Sequence, residues 1–280
     1  MPDSWTMRRT RNGAQVFVKP AAADILGSYP YDTAYAMSEA QKQTPADLPV
    51  NLPGDVREGT FVVVPAYNEE ASVESVAREI AAQYPNVVVV DDGSTDGTFA
   101  AAKRSAHHVL RHIINRGQGA ALQTGIEYAL MRGARFVVSF DADGQHRVED
   151  IQALLQPIYR GECDIALGSR FLGQALEMPR ARRLILQLAV LFTRMVSRVK
   201  LTDVHNGLRA FSRPAAERIH LTLDRMAHAS ELIDLIRQSG LPFREVPVQI
   251  RYTDYSRRKG QSSRGAIRIL IHYLSGRILR

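Results

Sequence analysis

Four aspartates in two short motifs are the residues whose type and spacing point most directly to chemistry. Asp91 and Asp92 stand side by side in Asp-Asp-Gly-Ser-Thr-Asp-Gly, and Asp141 and Asp143 alternate in Asp-Ala-Asp-Gly-Gln-His. Four carboxylates that converge repel one another, and their pKa values rise unless a cation or hydrogen-bond donors compensate. The pattern therefore predicts a bound cation or a set of donor groups at these side chains.

The second of these motifs has the spacing of a metal site. If the backbone stays extended after Phe140, residues at i, i+2 and i+4 point the same way, so Asp141, Asp143 and Gln145 could present oxygens to one ion. Hard oxygen ligands suit Mg²⁺ or Mn²⁺, with water and substrate phosphate in the remaining positions. An isolated Asp-x-Asp is common in surface turns, and its place after a buried strand is what favours a metal site here.

Two further polar segments accompany the aspartates. Residues 65–70 follow an apolar run, and residues 115–119 read Asn-Arg-Gly-Gln-Gly at the start of a helical pattern. A guanidinium and exposed amide groups at a helix start suit an anion. The structural alternative is that Ser72, Thr95 and Asp96 cap helices and that the glycines serve turns, and we accept it for those positions.

An alternation of strands and helices from Thr60 onward would bring these segments together. Short apolar runs predict strands at residues 61–64, 86–90, 135–140 and 164–168, and helical periodicity predicts helices at residues 71–84, 98–105, 118–131 and 148–159. This alternation is typical of an α/β fold with a Rossmann-like, mostly parallel, doubly wound sheet flanked by helices. Ligands of such sheets bind beyond the carboxyl ends of the strands, where the polar segments fall.

Composition sets the outer limits of the interpretation. The chain has 280 residues, 45% of them hydrophobic, with one cysteine, Cys163, and a net charge of +7. A lone cysteine fits a reducing compartment, so we expect a cytoplasmic protein. No apolar run approaches the roughly 20 residues of a bilayer-spanning helix, and we see no signal peptide. We expect an N-terminal extension or arm over residues 1–58, a catalytic domain over 59–255, and a basic loop with a helix over 256–280.

Two amphipathic stretches bear on location. Residues 182–200 and 267–278 each place apolar side chains on one side of a helical wheel, with basic side chains off it. Core packing or an oligomer interface explains either helix alone.

The ordered motifs resemble those of family 2 glycosyltransferases, which have the GT-A fold, and within them the polyprenyl-phosphate (dolichol-phosphate type) mannosyl and glucosyl transferases. The resemblance runs from about Phe61 to Gln261 and includes Val-Pro-Ala-Tyr-Asn-Glu from Val64, Gly-Ser-Arg from Gly168 and Thr-Asp-Val-His-Asn-Gly-Leu-Arg-Ala-Phe from Thr202. It implies a nucleotide diphosphate sugar as donor, Mg²⁺ or Mn²⁺ as cofactor, and polyprenyl phosphate at the membrane surface as acceptor. Beside a core that resembles lipid-phosphate transferases, the two basic amphipathic stretches favour a peripheral position on the inner face of the cell membrane.

The resemblance also implies roles for individual residues. Nucleotide-sugar binding falls to Pro65, Ala66, Tyr67, Asn68, Glu69, Asp91, Asp92, Arg116, Gly119, Asp141 and Ala142. The acceptor phosphate falls to Arg170, Arg183, Arg257, Arg258 and Lys259, and the metal to Asp141, Asp143 and Gln145. Asp143, Arg170 and Glu231 are the expected catalytic residues.

The chemistry expected is an inverting displacement at the anomeric carbon, in which a divalent ion stabilises the departing nucleoside diphosphate. A hydroxyl acceptor would need a base, for which Asp203, His228 and Glu231 are candidates, whereas an acceptor phosphate is already anionic. Transfer to a saccharide or other hydroxyl therefore stays open, as does a non-catalytic nucleotide-sugar-binding protein. We expect no nucleic-acid binding, because no basic stripe alternates with aromatics. The sugar, the base of the nucleotide and the oligomeric state stay open.

Overall fold

The structure, a computed structural model, describes residues 52–172, 201–203, 206–222 and 228–251, with side chains of the last range from residue 231, and the backbone of residues 6–9 and 15–18. The two N-terminal stretches form an antiparallel pair, β1 (Thr6–Arg9) and β2 (Gln15–Val18), with Thr6 opposite Val18. This pair belongs to a separate unit that spans residues 1–42. The predicted arm therefore contains strands that its irregular composition did not indicate.

The large unit alternates strands and helices, as the periodicity predicts. In chain order its elements are α1 (Gly54–Glu58), β3 (Thr60–Ala66), α2 (Val73–Ala81), β4 (Asn86–Asp91), α3 (Thr98–Lys103), β5 (His108–Arg111), α4 (Gln118–Met131), β6 (Phe136–Ser139), α5 (Glu149–Tyr159), β7 (Ile165–Ser169), β8 (Arg209–Ser212), α6 (Arg213–Arg218), α7 (His228–Ser239) and β9 (Phe243–Pro247). The four predicted strands and four predicted helices are all present, with ends shifted by a few residues.

Seven strands form one mixed sheet in the order β5-β4-β3-β6-β8-β7-β9. The pairs β3 with β4, β3 with β6, β4 with β5, and β7 with β9 are parallel, whereas β8 runs antiparallel to both β6 and β7. The prediction of a mostly parallel sheet is confirmed. Because β8 runs the other way, its N-terminal residue, Arg209, lies at the same edge as the C-terminal ends of β6 and β7.

Both faces of the sheet are buried. In β3, Val62 and Val64 pack in one apolar layer with α1, α2, α3 and α5, while Val63 packs in the opposite layer with α4, α6 and α7. Burial on both faces explains why the central strands read as continuous valine runs. Leu52 and Val56, from the range predicted as the arm, join the first layer, so this core begins before residue 59.

Some predicted features lie outside the described residues. They are the amphipathic stretches at 182–200 and 267–278 and the basic run at 257–259. Within the described part of the chain, no helix is long and apolar enough to cross a membrane. The predicted domain boundaries at residues 58 and 255 stay predictions.

Candidate active site

The loops that follow β3 and β4 are joined by hydrogen bonds at the carboxyl edge of the sheet. The Asn68 amide donates to Ser94 Oγ at 2.9 Å, and the Glu69 amide donates to Thr98 Oγ1 at 2.8 Å. Asn68 Oδ1 accepts from the Thr95 amide at 3.0 Å, with the Asn68 backbone in the left-handed region at φ 53°. The two loops therefore form one rim.

The residues predicted to bind the nucleotide occupy different positions on this rim. Pro65 and Ala66 are buried at the end of β3, whereas the Tyr67 ring is 43% exposed. Gly119 is buried in the first turn of α4, and the Arg116 side chain is exposed. Tyr67 and Arg116 thus have surface available to a ligand, while the small residues form the floor.

Asp91 and Asp92 both hold the protein's own loops. Asp91 is fully buried; its Oδ1 accepts from the Ser94 amide at 3.0 Å and its Oδ2 lies 3.1 Å from Arg111 Nε. The two oxygens of Asp92 accept from the amides of Arg116 at 2.9 Å and Gly117 at 2.6 Å. The donor groups that the sequence demanded around these carboxylates are therefore present, and their contacts to base and ribose stay a prediction.

The backbone after Phe140 turns, so the expectation of an extended run through Gln145 was wrong. Gly144 adopts φ 74°, which other residues rarely tolerate, and the Gln145 amide donates to Asp143 Oδ1 at 3.0 Å. A short polar side chain that bonds a backbone amide two residues on is typical of an Asx turn. Asp141 and Asp143 thus share a tight turn, and Gln145 contributes its backbone to that turn.

Neighbouring side chains orient Asp141. Gln118 Nε2, at the start of α4, donates to Asp141 Oδ1 at 3.0 Å, and His146 Nε2 lies 3.0 Å from Asp141 Oδ2. Ala142 is buried between the two aspartates. The backbone of Gly207 lies close to the Asp141 carboxylate, and the Gly207 carbonyl oxygen accepts a hydrogen bond from Ser139 Oγ at 2.7 Å. Sequence reasoning did not assign Gln118 or His146 to the site, although each lies within a recognised motif.

Asp143 is in an environment that favours a cation. Burial raises its pKa to about 6, and the negative charges of Asp141 and, to a lesser extent, Glu69 act in the same direction, while His146 lowers the pKa. No group of three or more His, Cys, Asp or Glu side chains in the described ranges could hold a metal ion. Two carboxylates suffice when substrate phosphates and water supply the other ligands, so the turn fits Mg²⁺ or Mn²⁺.

A second group of charged side chains lies at the ends of β7, β8 and β9. Arg170 follows β7 and is only 7% exposed; its Nε donates to Asp203 Oδ2 at 2.6 Å. The Asp203 amide donates to Glu245 Oε1 at 3.1 Å, and Thr202 donates to the same carboxylate through its amide and hydroxyl. Burial raises the pKa of Glu245, whereas these hydrogen bonds lower it. Arg170, predicted to bind an acceptor phosphate, is thus held in a buried ion pair.

Glu231 lies in the first turn of α7 and is buried. Its Oε1 accepts from the Thr222 amide at 2.9 Å and from Thr222 Oγ1 at 2.5 Å. His228 begins the same helix. Arg183, Arg257, Arg258 and Lys259 lie outside the described residues. The catalytic and phosphate-binding roles of all these residues stay predictions.

The sequence model of "Glycosyl transferase family 2" matches residues 61–219, which is more than half of the chain and includes both rim loops and the Asp141–Asp143 turn. The chain belongs to glycosyl transferase family 2. It is a glycosyltransferase of the hexosyltransferase class, and the predictions of family and enzyme class are confirmed.

Two relatives illustrate the range of this family. The chain is 31% identical to the UDP-N-acetylglucosamine–dolichyl-phosphate N-acetylglucosaminyltransferase of Methanococcus voltae, with 71% of this chain and 88% of the relative covered. It is 32% identical to the polyprenol monophosphomannose synthase of Mycolicibacterium smegmatis, with 70% and 77% covered.

Solved structures show the fold. Glucosyl-3-phosphoglycerate synthase of Mycobacterium tuberculosis, in complex with Mn²⁺, UDP-glucose and phosphoglyceric acid, superposes with a TM-score of 0.61 at 22% identity, with 80% of this chain and 84% of that chain covered. Its complex with UDP superposes with a TM-score of 0.63 at 21% identity, with 81% and 84% covered. The predicted GT-A fold of the family 2 domain is confirmed.

Proposed function

We propose that this family 2 glycosyltransferase moves a hexose, with inversion, from a nucleoside diphosphate sugar to a polyprenyl phosphate at a membrane surface. The observation that carries the donor half is the Asp141–Asp143 turn, where burial raises the pKa of Asp143 to about 6 beside a second carboxylate. Such a carboxylate pair, on the rim where this fold class binds ligands, suits a divalent cation with a diphosphate.

Asp141 and Asp143 would hold Mg²⁺ or Mn²⁺, which when bound supplies Lewis-acid neutralisation of the leaving diphosphate. The protein's own contribution is to fix the carboxylates before substrate arrives. Gln118 and His146 hold the Asp141 carboxylate at both oxygens, and the Gln145 amide holds Asp143. Ligands that are already oriented lose little conformational entropy on binding, so the site is preorganised for the charge that develops.

Asn68 and Asp92 support the donor nucleotide by shaping the rim. Asn68 bonds to the Ser94–Thr95 turn, and Asp92 holds the amides of Arg116 and Gly117. These bonds leave the Tyr67 ring and the Arg116 guanidinium at the exposed surface, where an aromatic face and a cation suit a base and a phosphate.

The acceptor half is supported by the names of the relatives and by the charge at β7. Both relatives described above carry a dolichyl phosphate or polyprenol in their names. A phosphate acceptor near neutral pH needs cations rather than a base. Arg170 is held by Asp203 beside the end of β7, and Arg183, Arg257, Arg258 and Lys259 would add positive charge. The net charge of +7 favours a peripheral position on anionic lipid.

The decisive experiment is a transfer assay. The protein is incubated with Mn²⁺ or Mg²⁺ and a panel of UDP-, GDP- and dTDP-sugars, with and without polyprenyl phosphate, and the product is identified by mass. We expect a glycosyl polyprenyl phosphate that forms only with metal. Asp143→Asn should abolish its formation, while Asp55→Asn, at an exposed surface pair, serves as the matched control.

Two variants separate a phosphate acceptor from a hydroxyl acceptor. With polyprenyl phosphate, Arg170→Ala should raise the acceptor KM because guanidinium pairing with phosphate is charge-assisted, and Glu231→Gln should slow turnover only modestly. Loss of activity in Glu231→Gln, with product formed on a saccharide and none on the lipid, would reject the lipid acceptor. Flotation of the native protein with anionic vesicles at rising salt tests the membrane position, since electrostatic binding weakens with ionic strength.

A further inference from the structure

Arg209 is a buried cation at the centre of the sheet edge that carries the site. It is the first residue of β8, opposite Ser139 of β6 and Leu167 of β7. Its side chain is on the face of α4, because strand neighbours alternate and Phe211 packs in that layer. Only 5% of the residue is exposed. An arginine at such a position needs partners that repay its desolvation.

Arg209 lies between the two halves of the site, because its strand partner Ser139 is two residues before Asp141 and its strand partner Leu167 is three residues before Arg170. Burial lowers the pKa of the guanidinium to about 10, and the negative charges of Asp141 and Asp203 oppose that shift. Arg209 therefore stays charged at neutral pH. Asp141 belongs to the carboxylate turn at the end of β6, and Asp203 holds Arg170 at the end of β7. One cation thus stabilises a carboxylate on each side.

We propose that Arg209 is a positioning residue that couples the donor and metal side of the site to the acceptor side. The inference rests on the proposed function, because it assigns Asp141 to the metal and Asp203, through Arg170, to the acceptor phosphate. A planar guanidinium has five donors in a fixed fork, so it can serve two carboxylates that converge from different segments. A lysine at this position would supply the charge without the fork.

The rest of the network explains why the loss of Arg209 would be felt on both sides. Asp203 lies close to Glu245, and the negative charge of Asp203 raises the pKa of Glu245. Asp141 in turn shares a tight turn with Asp143. Removal of the guanidinium withdraws positive charge from both carboxylate pairs at once, so the carboxylates of each pair would rotate away from one another. This rotation alters the groups that face donor and acceptor.

The test compares Arg209→Gln and Arg209→Lys with Arg218→Gln, a matched control at an exposed arginine that ends α6. Titration calorimetry measures the affinity for Mn²⁺ together with UDP or GDP, whichever the native protein binds more tightly, without acceptor. The transfer assay measures the KM for polyprenyl phosphate. We expect Arg209→Gln to weaken nucleotide affinity and raise the acceptor KM, each by about tenfold, a size typical of coupling between sites. Arg218→Gln should leave both values unchanged.

Two single-sided variants complete the design. Gln118→Ala, which removes a hydrogen bond to Asp141, should weaken donor binding alone, and Arg170→Ala, which leaves Asp141 and Asp203 in place, should raise the acceptor KM alone. A purely structural role for Arg209 would lower the folded fraction, and hence kcat, without changing the affinity of the folded molecules. A change in Arg209→Gln that is confined to one side would overturn the coupling.

The remaining outcomes separate the inference from the proposed function. If the unmutated protein transfers no sugar to polyprenyl phosphate, the proposed acceptor is rejected, but the donor titration can still be carried out. An unchanged nucleotide affinity in Arg209→Gln would then overturn the inference. If Arg209→Gln does not fold, Arg209→Lys replaces it, since it keeps the charge and loses the fork. Native values of both constants in Arg209→Lys would then overturn the inference.

Discussion

Gly207 offers a sharp test of the carboxylate turn because it has no room for a side chain. A Cβ atom at this position would lie 2.0 Å from Asp141 Oδ2 and 2.4 Å from Asp141 Cγ. Non-bonded carbon and oxygen atoms need about 3.4 Å or more, so in Gly207→Ala the carboxylate must retreat by more than about 1 Å. The obstructing atoms are the end of one side chain, so we expect the fold to survive.

The retreat would break the bonds that orient Asp141. Gln118 Nε2 and His146 Nε2 each lie 3.0 Å from one of its oxygens, and hydrogen bonds with a nitrogen donor span about 2.7–3.2 Å, so a retreat of this size takes the oxygens out of range. Hydrogen bonds to a charged group contribute about 1.5–3 kcal/mol each. The loss of one or both should therefore weaken metal-dependent nucleotide binding by about 10- to 100-fold, since 1.4 kcal/mol corresponds to a factor of ten.

Calorimetric titration with Mn²⁺ and UDP or GDP measures this loss, and circular dichroism with a thermal melt checks the fold. Gly54→Ala is the matched control, because a Cβ there meets nothing within 4 Å. Native affinity in a folded Gly207→Ala would refute the assignment of the metal to Asp141. An equal loss in Gly54→Ala would show that the effect is not local.

Three further predictions follow from individual side chains. Burial, reinforced by Asp141, raises the pKa of Asp143 to about 6. Protonated Asp143 therefore favours the metal-free folded state below that pH, and this contribution to stability is lost as the pH rises through 6. The increase in Tm caused by Mn²⁺ should be larger at pH 7.5 than at pH 5, and an equal increase at both would contradict the assignment of the metal to Asp143. Asp92→Ala removes the acceptor of two amide hydrogen bonds, so it should lower the free energy of unfolding by about 2–3 kcal/mol and weaken nucleotide binding. Thermal denaturation measures the stability, and an unchanged Tm would be inconsistent with the role of Asp92 in the loop. Burial raises the pKa of Cys163 to about 12, so the native protein should resist iodoacetamide at pH 8 while the denatured protein reacts. Mass spectrometry measures the labelling, and rapid labelling of the native protein would disprove the burial of Cys163.

The sequence was informative where local pattern and burial agree. The valine runs of β3 and β4 lie between two apolar layers, so the local preference of valine for strands and its burial in the fold favour the same structure. The polar segments after them had to meet at one edge, because the strands are parallel. The family motifs then predicted a site at the aspartates without any knowledge of their contacts.

Three features could not be predicted in this way. The short strands β5 and β8 have mixed polarity, since β5 is only half-buried and β8 begins with the charged Arg209. The turn after Phe140 depends on a left-handed Gly144, a conformation that glycine permits without requiring it. The third feature is partnership across the fold, such as Thr202 with Glu245, which lie 43 residues apart.

The burial of Glu231 shows a related limit. It lies in the first turn of α7, where a polar residue is as compatible with an exposed position as with a buried one. Its partner is Thr222, nine residues earlier in the chain, and the intervening residues carry no signal of that contact. The secondary structure around a residue can thus be predicted from the sequence more readily than whether its side chain is buried or exposed.

The ion pair between Arg170 and Asp203 also has an evolutionary consequence. These residues are 33 positions apart, so the ion pair joins a residue that directly follows β7 to one that precedes β8 in the chain. The entropy of closing a loop grows slowly, by about 0.6 kcal/mol for each doubling of its length. A change in the number of residues between them should therefore cost little closure entropy as long as the ion pair is kept. Descendants of this gene could therefore differ in the length of this stretch while they keep the pair that closes it.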